Sequence, residues 1–241
     1  MNGKTGNQNT SNIAIIPARG GSKRIPGKNK KVFCGKPMIS YSIAAAKASG
    51  IFNRIIVTTD SQDIASMATG YGAEVPFMRP PELSDDHAST DAVVLHSLDW
   101  INANWGQADY ICCIYSTAPF VRPEYLKAGL EILVREKATS AFSVTSFPYP
   151  IFRALKIETD GRLKMFWPEH RMTRSQDLSE AYHDAGQFYW ADARKYAAER
   201  KLFSSDAVPV VLPRKLVQDI DTPEDWERAE AMYKVLFGQE K

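Results

Sequence analysis

The sequence predicts an α/β protein with a doubly wound, mostly parallel sheet. Three observations lead there. Short β-branched or apolar runs alternate with amphipathic helical stretches along most of the chain. Two of the runs, 13–16 and Tyr110–Ile114, are apolar throughout, as strands covered on both faces must be. Several helical stretches open on Pro or close on Gly, the usual punctuation of a helix. The 241 residues suffice for one domain with a sizeable core, and 44% hydrophobic with 24% charged residues excludes a disordered or fibrous chain.

Taken in order, residues 1–12 are polar and read as a frayed tail. The run 13–16 ends at Pro17 and reads as the first strand. Over 37–49, Pro at the start, an apolar stripe of Met38, Ile39, Ile43 and Ala46, and Gly50 after it predict a helix. Arg54–Thr58 is a β-branched strand, followed by a helix over 61–71 that closes at Gly72. A helix over 90–101, a strand at Tyr110–Ile114, a helix over 123–135 and a strand over 140–144 continue the alternation. The pattern changes after Ser146. Short alternating segments, many aromatics and a turn-like Thr159-Asp160-Gly161 predict an α+β insertion over 147–187 that leaves the sheet. A strand at 188–190, a helix over 192–199, a strand over 208–212 and a last helix at Pro223–Phe237 resume it. Residues 13–241 thus read as a single domain carrying that insertion.

Thirty Lys+Arg against 28 Asp+Glu leave a formal charge of +2, a balance that argues against a nucleic-acid binder. Three cysteines, Cys34, Cys112 and Cys113, make neither a disulfide framework nor a zinc spacing, and fit a reducing compartment. No stretch approaches the ~20 apolar residues of a membrane span, and the first residues lack the apolar segment of a secretory signal. The expectation is a cytoplasmic protein that does not engage a membrane.

In an open α/β sheet, ligands sit beyond the carboxyl ends of the strands, which directs attention to the loops after Ile16, Thr58, Ile114 and Val217. The first reads Pro17-Ala18-Arg19-Gly20-Gly21-Ser22-Lys23-Arg24-Ile25-Pro26-Gly27-Lys28-Asn29-Lys30. Paired glycines let backbone N–H groups approach an anion, and Arg19, Lys23, Arg24, Lys28 and Lys30 supply cations suited to phosphate. The loop matches neither the Walker A pattern nor the dinucleotide glycine fingerprint. Its alternative is a solvated basic loop. Asp219-Ile220-Asp221 places two carboxylates on one side of an extended segment, hard ligands suited to Mg²⁺ that also holds phosphates. Their alternative is capping of the last helix by Asp221 or Thr222. Cys112 and Cys113 read as core side chains. His87, His96 and His170 form no ligand set, and His183 beside Asp184 reads as a hydrogen-bonded structural residue more readily than as a general base.

The stretch from Ile13 to Asn29 resembles the nucleotide-binding signature of the CMP-sialic acid synthetase family. Arg79-Pro80-Pro81-Glu82-Leu83 with Thr90-Asp91, and Asp219-Ile220-Asp221-Thr222, resemble that family's later motifs in the right order. The resemblance implies a Rossmann-like nucleotidyltransferase fold and transfer of CMP from CTP to the anomeric hydroxyl of a nine-carbon sugar acid. It implies that Arg19, Gly20, Gly21, Ser22 and Lys28 hold the triphosphate. Asn29, Arg79, Ala88 and Thr90 would meet cytosine and ribose, and Asp219 and Asp221 would bind Mg²⁺. Arg19, Lys28 and Asp221 would take the catalytic roles. A homodimer formed through the insertion is implied as well.

Two departures concern the sugar side. Tyr115-Ser116-Thr117-Ala118-Pro119 stands where sialic acid members usually have Gln-Pro-Thr-Ser-Pro, and Ala185-Gly186-Gln187 where they have Asn-Gly-Ala. Together with Ser146-Phe147-Pro148-Tyr149-Pro150-Ile151 and the run from Tyr182 to Trp190, these look like the branch of the family that acts on pseudaminic acid. That implies a sugar less polar at its far end, met by Tyr115, Phe147, Tyr149 and Phe188, although many aromatics here read equally as core or subunit interface. Arg174 and Gln176 read equally as partners of the sugar carboxylate or as surface ion-pair residues, and His183, Gln187 and Tyr189 are further candidate sugar contacts. Legionaminic or N-acetylneuraminic acid is the alternative substrate, and a non-catalytic nucleotide-binding regulator the alternative class. A nicotinamide-binding dehydrogenase lacks the glycine spacing it would need.

Overall fold

A computed structural model describes residues 10–238. Its strands are β1 (Asn12–Pro17), β2 (Val32–Phe33), β3 (Lys36–Pro37), β4 (Arg54–Thr58), β5 (Tyr110–Ile114), β6 (Ser140–Ser146), β7 (Leu155–Ile157), β8 (Leu163–Met165), β9 (Tyr182–Asp192) and β10 (Val208–Val211). The helices are α1 (Met38–Ser49), α2 (Gln62–Gly70), α3 (Thr90–Asn104), α4 (Pro123–Glu136), α5 (Ala193–Glu199) and α6 (Pro223–Phe237). Six strands form the central sheet in the order β10-β6-β9-β5-β1-β4. Pairings β1–β4, β1–β5 and β10–β6 are parallel, while β9 runs antiparallel to both β5 and β6. The sheet is therefore mostly parallel, with one reversed strand at its centre.

Strand alternation divides the core in two. Ala14 and Ile16 of β1, Cys112 and Ile114 of β5 and Phe188 and Trp190 of β9 face α1, α2 and α4. Ile13 and Ile15, Ile111 and Cys113, and Tyr189 and Ala191 face α3 and α5. Both cysteines are fully buried, and burial pushes their thiols up. Among the described residues no helix is long and apolar enough to cross a membrane.

A third core lies off the sheet. The two-residue strands β2 and β3 form a tight hairpin whose Phe33 meets Tyr41, Trp226 and Tyr233 edge-on, each at 5.5 Å. Ile25, Leu216 and Ile220 join them. Helix α6 thus packs on this hairpin rather than on the sheet, and its packing fixes the basic loop that ends at Lys30.

Two expected boundaries move. Residues 1–9 of the expected tail lie outside the described residues, but Ser11 N donates to Asp109 Oδ2 at 2.9 Å, and Asn12 opens β1 with its N–H on Asn53 Oδ1 at 2.7 Å. The insertion leaves after β6 and carries the β7–β8 hairpin, yet the chain rejoins the sheet at Tyr182, where Tyr182, His183 and Asp184 pair with Ser146, Thr145 and Val144. Residues 182–187 belong to the sheet, not to the insertion. The ladder shifts register between Phe142 and Val144, and opposite that break Gly186 takes φ +62°, with its N–H held by Asp184 Oδ1 at 2.9 Å. A polar, bulged strand start carries no period-two signal.

Candidate active site

The site grows from the carboxyl ends of β1, β4 and β5. After β1, Ala18 N donates to Thr58 O at 3.0 Å, and Gly20 N donates to Asp60 Oδ1 at 2.8 Å. A Cβ on Gly20 would stand 3.1 Å from Ser61 Cβ, so any side chain here would push against the β4 loop by a few tenths of an ångström. Gly21 has open space around it. The chain then turns, with Lys28 N on Ile25 O and Lys30 N on Gly27 O, Gly27 taking φ +64°.

Pro17, Arg19, Ser22, Lys23, Arg24, Lys28, Asn29, Asp86, Ser116 and Thr117 line a cavity of about 480 Å³ at this edge. Its cations are paired on two sides. On one, Arg24 meets Asp221 at 2.8 Å and Lys28 meets it at 3.4 Å, while Lys28 Nζ also donates to Ile220 O at 2.5 Å. On the other, Arg19 meets Asp86 at 2.8 Å, and Lys23 donates to the same carboxylate.

Asp219 and Asp221 precede α6 but do not cap it. Thr222 Oγ1 accepts from Asp225 N, and Asp225 Oδ2 accepts from the N–H groups of Asp221 and Thr222, a closed capping box. Both carboxylates are thereby left for other work. Burial pushes the Asp219 carboxyl above its ordinary range, and the Asp221 charge pushes it further. Such a pair fits a cation, which would relieve both penalties. No group of three or more His, Cys, Asp or Glu gathers among the described residues, so a metal here would draw its remaining ligands from substrate phosphates and water. That is the Mg²⁺ habit.

The other expected residues fall into two groups. Thr90 Oγ1 lies 3.3 Å from Tyr115 OH, and Ala88 N donates to Asp85 Oδ1; none of these three lines the cavity, although Tyr115 precedes Ser116 and Ala88 follows Asp86 by two residues. Asn29 is buried, donating to Arg19 O at 2.9 Å and accepting from Ser116 Oγ at 2.8 Å, so its amide braces two loops. Arg79 is buried beneath them, donating to Thr58 O and Leu83 O with Nε unpartnered, and burial lowers its pKa.

The residues expected on the sugar side lie in several different places. Tyr115 directly precedes the cavity-lining Ser116 and packs partly buried against both cores, and Gln187 is buried with Nε2 on Leu216 O at 2.5 Å, a brace rather than an open contact. Tyr189 is buried, donating its hydroxyl to Asp184 Oδ2 at 2.6 Å, and Phe188 is fully buried in the core. His183 packs edge-on against Phe147, its Nδ1 2.8 Å from Asp184 O. Arg174 is exposed and ion-paired with Asp177 at 2.7 Å, and Gln176 lines a separate groove with Phe147 and Tyr149. Neither reaches the cavity of its own chain. Asp60 and Asp86 were not singled out. Asp60 could have been found by the strand-end rule, whereas Asp86 sits in a stretch with no motif to mark it.

A protein-family model described as Cytidylyltransferase matches residues 13–231. The chain belongs to the cytidylyltransferase family. It is 44% identical over 224 residues, 93% of this chain and 97% of the other, to a pseudaminic acid cytidylyltransferase of Campylobacter jejuni subsp. jejuni serotype O:2. It is 32% identical over 234 residues, 92% and 96% of the two chains, to the CMP-N,N'-diacetyllegionaminic acid synthase of Legionella pneumophila subsp. pneumophila. Among solved structures, CMP:2-keto-3-deoxy-manno-octonic acid synthetase complexed with CTP superposes with a TM-score of 0.68 at 18% identity, covering 94% of this chain and 99% of that one. This cytidylyltransferase therefore shares the fold of a CTP-bound synthetase, and its basic cavity occupies the strand edge where the α/β rule places ligands.

Proposed function

We propose that the chain transfers CMP from CTP to the anomeric hydroxyl of pseudaminic acid, releasing pyrophosphate. The observation that carries the reaction is the 480 Å³ cavity lined by Arg19, Lys23, Arg24 and Lys28, with Asp221 ion-paired to two of them. The sugar is carried by the 44% identity, over nearly the full length of both chains, to the Campylobacter jejuni pseudaminic acid cytidylyltransferase.

In this reading the sugar hydroxyl attacks the α-phosphorus, a new P–O bond forms, and the bond to the bridging oxygen of pyrophosphate breaks. The hydroxyl proton passes to solvent. Arg19 and Lys28 face the phosphates and stabilise the charge that gathers on them as the bond breaks, an electrostatic role that needs preset geometry. Lys28 has that geometry, because its Nζ is fixed between Ile220 O and Asp221. Gly20 brings its loop against Asp60, Gly21 and Ser22 continue the cradle, and Ala88, Thr90 and Asn29 border the base and ribose. Asp219 and Asp221 would hold Mg²⁺, which supplies positive charge to phosphate oxygens when bound. Tyr115 faces the sugar. Free buried thiols at Cys112 and Cys113 suit a cytoplasmic setting.

The reading includes a homodimer. Leu155 and Met165, and Ile157 with Leu163, are cross-strand partners on one face of the β7–β8 hairpin, and Leu155, Ile157 and Leu163 are exposed in the single chain. An exposed apolar strand pair of this kind supports association with a second copy. It would also account for Arg174 and Gln176, which lie on the insertion away from their own cavity.

The test follows pyrophosphate release with CTP and Mg²⁺, offering pseudaminic, legionaminic and N-acetylneuraminic acids separately. The expected outcome is strong preference for pseudaminic acid. Preference for another of the three replaces the sugar assignment and keeps the reaction. No release with any of them overturns the catalytic reading.

A further inference from the structure

Asp86 belongs to the cavity yet has the wrong charge for a phosphate site. It lines the space with Arg19, Lys23, Arg24 and Lys28. One of its oxygens takes Arg19 Nη1 at 2.8 Å and the other takes Lys23 Nζ, while Asp85 O adds a further contact to Arg19 Nη1 at 3.1 Å. The hydrogen bonds from Lys23 and Arg19 hold the Asp86 carboxyl below its ordinary value.

The segment bearing it is anchored at both ends. Arg79 Nη1 donates to Leu83 O at 3.3 Å before it, and Ser89 caps α3 after it, accepting from Ala92 N at 3.2 Å. Between them Asp85 Oδ1 accepts from the N–H groups of His87 and Ala88, each at 2.8 Å, which aims Asp86 back at the basic loop. The opposite carboxylate, Asp221, has Asp219 beside it and a cation to receive. Asp86 has no acidic neighbour engaged with it and no such role.

We infer that Asp86 is an internal competitor for phosphate: it holds Arg19 and Lys23 in the ligand-free site, and an entering triphosphate displaces it. The inference rests on the nucleotide reading above. The same exchange runs backwards at the end of a turnover, when Asp86 retakes the two cations and helps pyrophosphate leave. Ion partners are swapped rather than created, so affinity for the polyphosphate is tuned below what four free cations would give.

The experiment measures inorganic pyrophosphate and CTP binding by calorimetry with Mg²⁺ at low ionic strength, for the full chain and for Asp86→Asn and Asp86→Ala. Both variants should bind pyrophosphate about fivefold more tightly, the scale that two solvent-exposed ion pairs set. That gain should shrink as salt screens the competing pairs. Unchanged or weaker pyrophosphate binding in both variants, with CTP still bound by the unaltered protein, overturns the inference alone. Absence of binding of either compound to the unaltered protein overturns the nucleotide reading and the inference with it.

Discussion

One amide side chain ties the two halves of the basic cavity together. Asn29 gives its N–H to the carbonyl of Arg19 and takes the hydroxyl of Ser116, a residue 87 positions away. Truncation to Ala leaves a buried carbonyl and a buried hydroxyl without partners, at a cost of about 1–3 kcal/mol. Asn29→Ala should therefore lower the melting temperature and raise KM for CTP, because Arg19 loses its backbone tether. A normal melt with a normal KM would remove the bracing role. The sequence marks Asn29 by its place beside Lys28, but its partners exist only once two distant loops meet. Gln187 and Phe188 show the same limit in reverse: their types suit a sugar pocket, while the structure turns one onto Leu216 O and buries the other. The glycines and cations of the first loop were legible because they cluster at a strand end. Asp60 and Asp86 are loop carboxylates whose partners on the first loop lie 40 to 67 positions away, with nothing local to mark them.

At the scale of elements, the apolar runs of β1 and β5 are readable because strands covered on both sides need no polar face. The first half of β9 is not, because its exposed, bulged residues resemble a loop. Its second half is held by α4, which comes so near that a Cβ on Gly129 would stand 2.6 Å from Trp190 Cδ1 and 3.2 Å from Phe188 Cε2. Trp190 cannot retreat: its indole N–H donates to Leu126 O at 2.9 Å and its ring stacks on Phe52 at 5.1 Å. In an exposed helix, Gly→Ala gains about 1 kcal/mol, but overpacking of a filled core costs about 1–3 kcal/mol. Gly129→Ala should thus destabilise the protein in urea unfolding. A stabilised variant would show that α4 can move away from the sheet without penalty.

For the molecule as a whole, the proposed dimer depends on the face formed by Leu155, Ile157 and Leu163. Replacing both Ile157 and Leu163 by Asp puts two charges on that face without entering the core. Sedimentation should show a dimer for the unaltered chain and a monomer for the double variant, whose activity would then report whether the insertion serves a neighbour's site. A monomer in both removes the dimer. The other long-range feature is the aromatic core that joins the first loop to the last helix, and it has a consequence for biosynthesis. Lys28 and the Ile220 carbonyl it binds are 192 residues apart. At roughly 5–20 residues per second of synthesis, the cradle emerges from the ribosome about 10–40 s before the segment that completes it. A nascent chain therefore carries five cations with no finished pocket around them until the segment bearing Ile220 and Asp221 has been made.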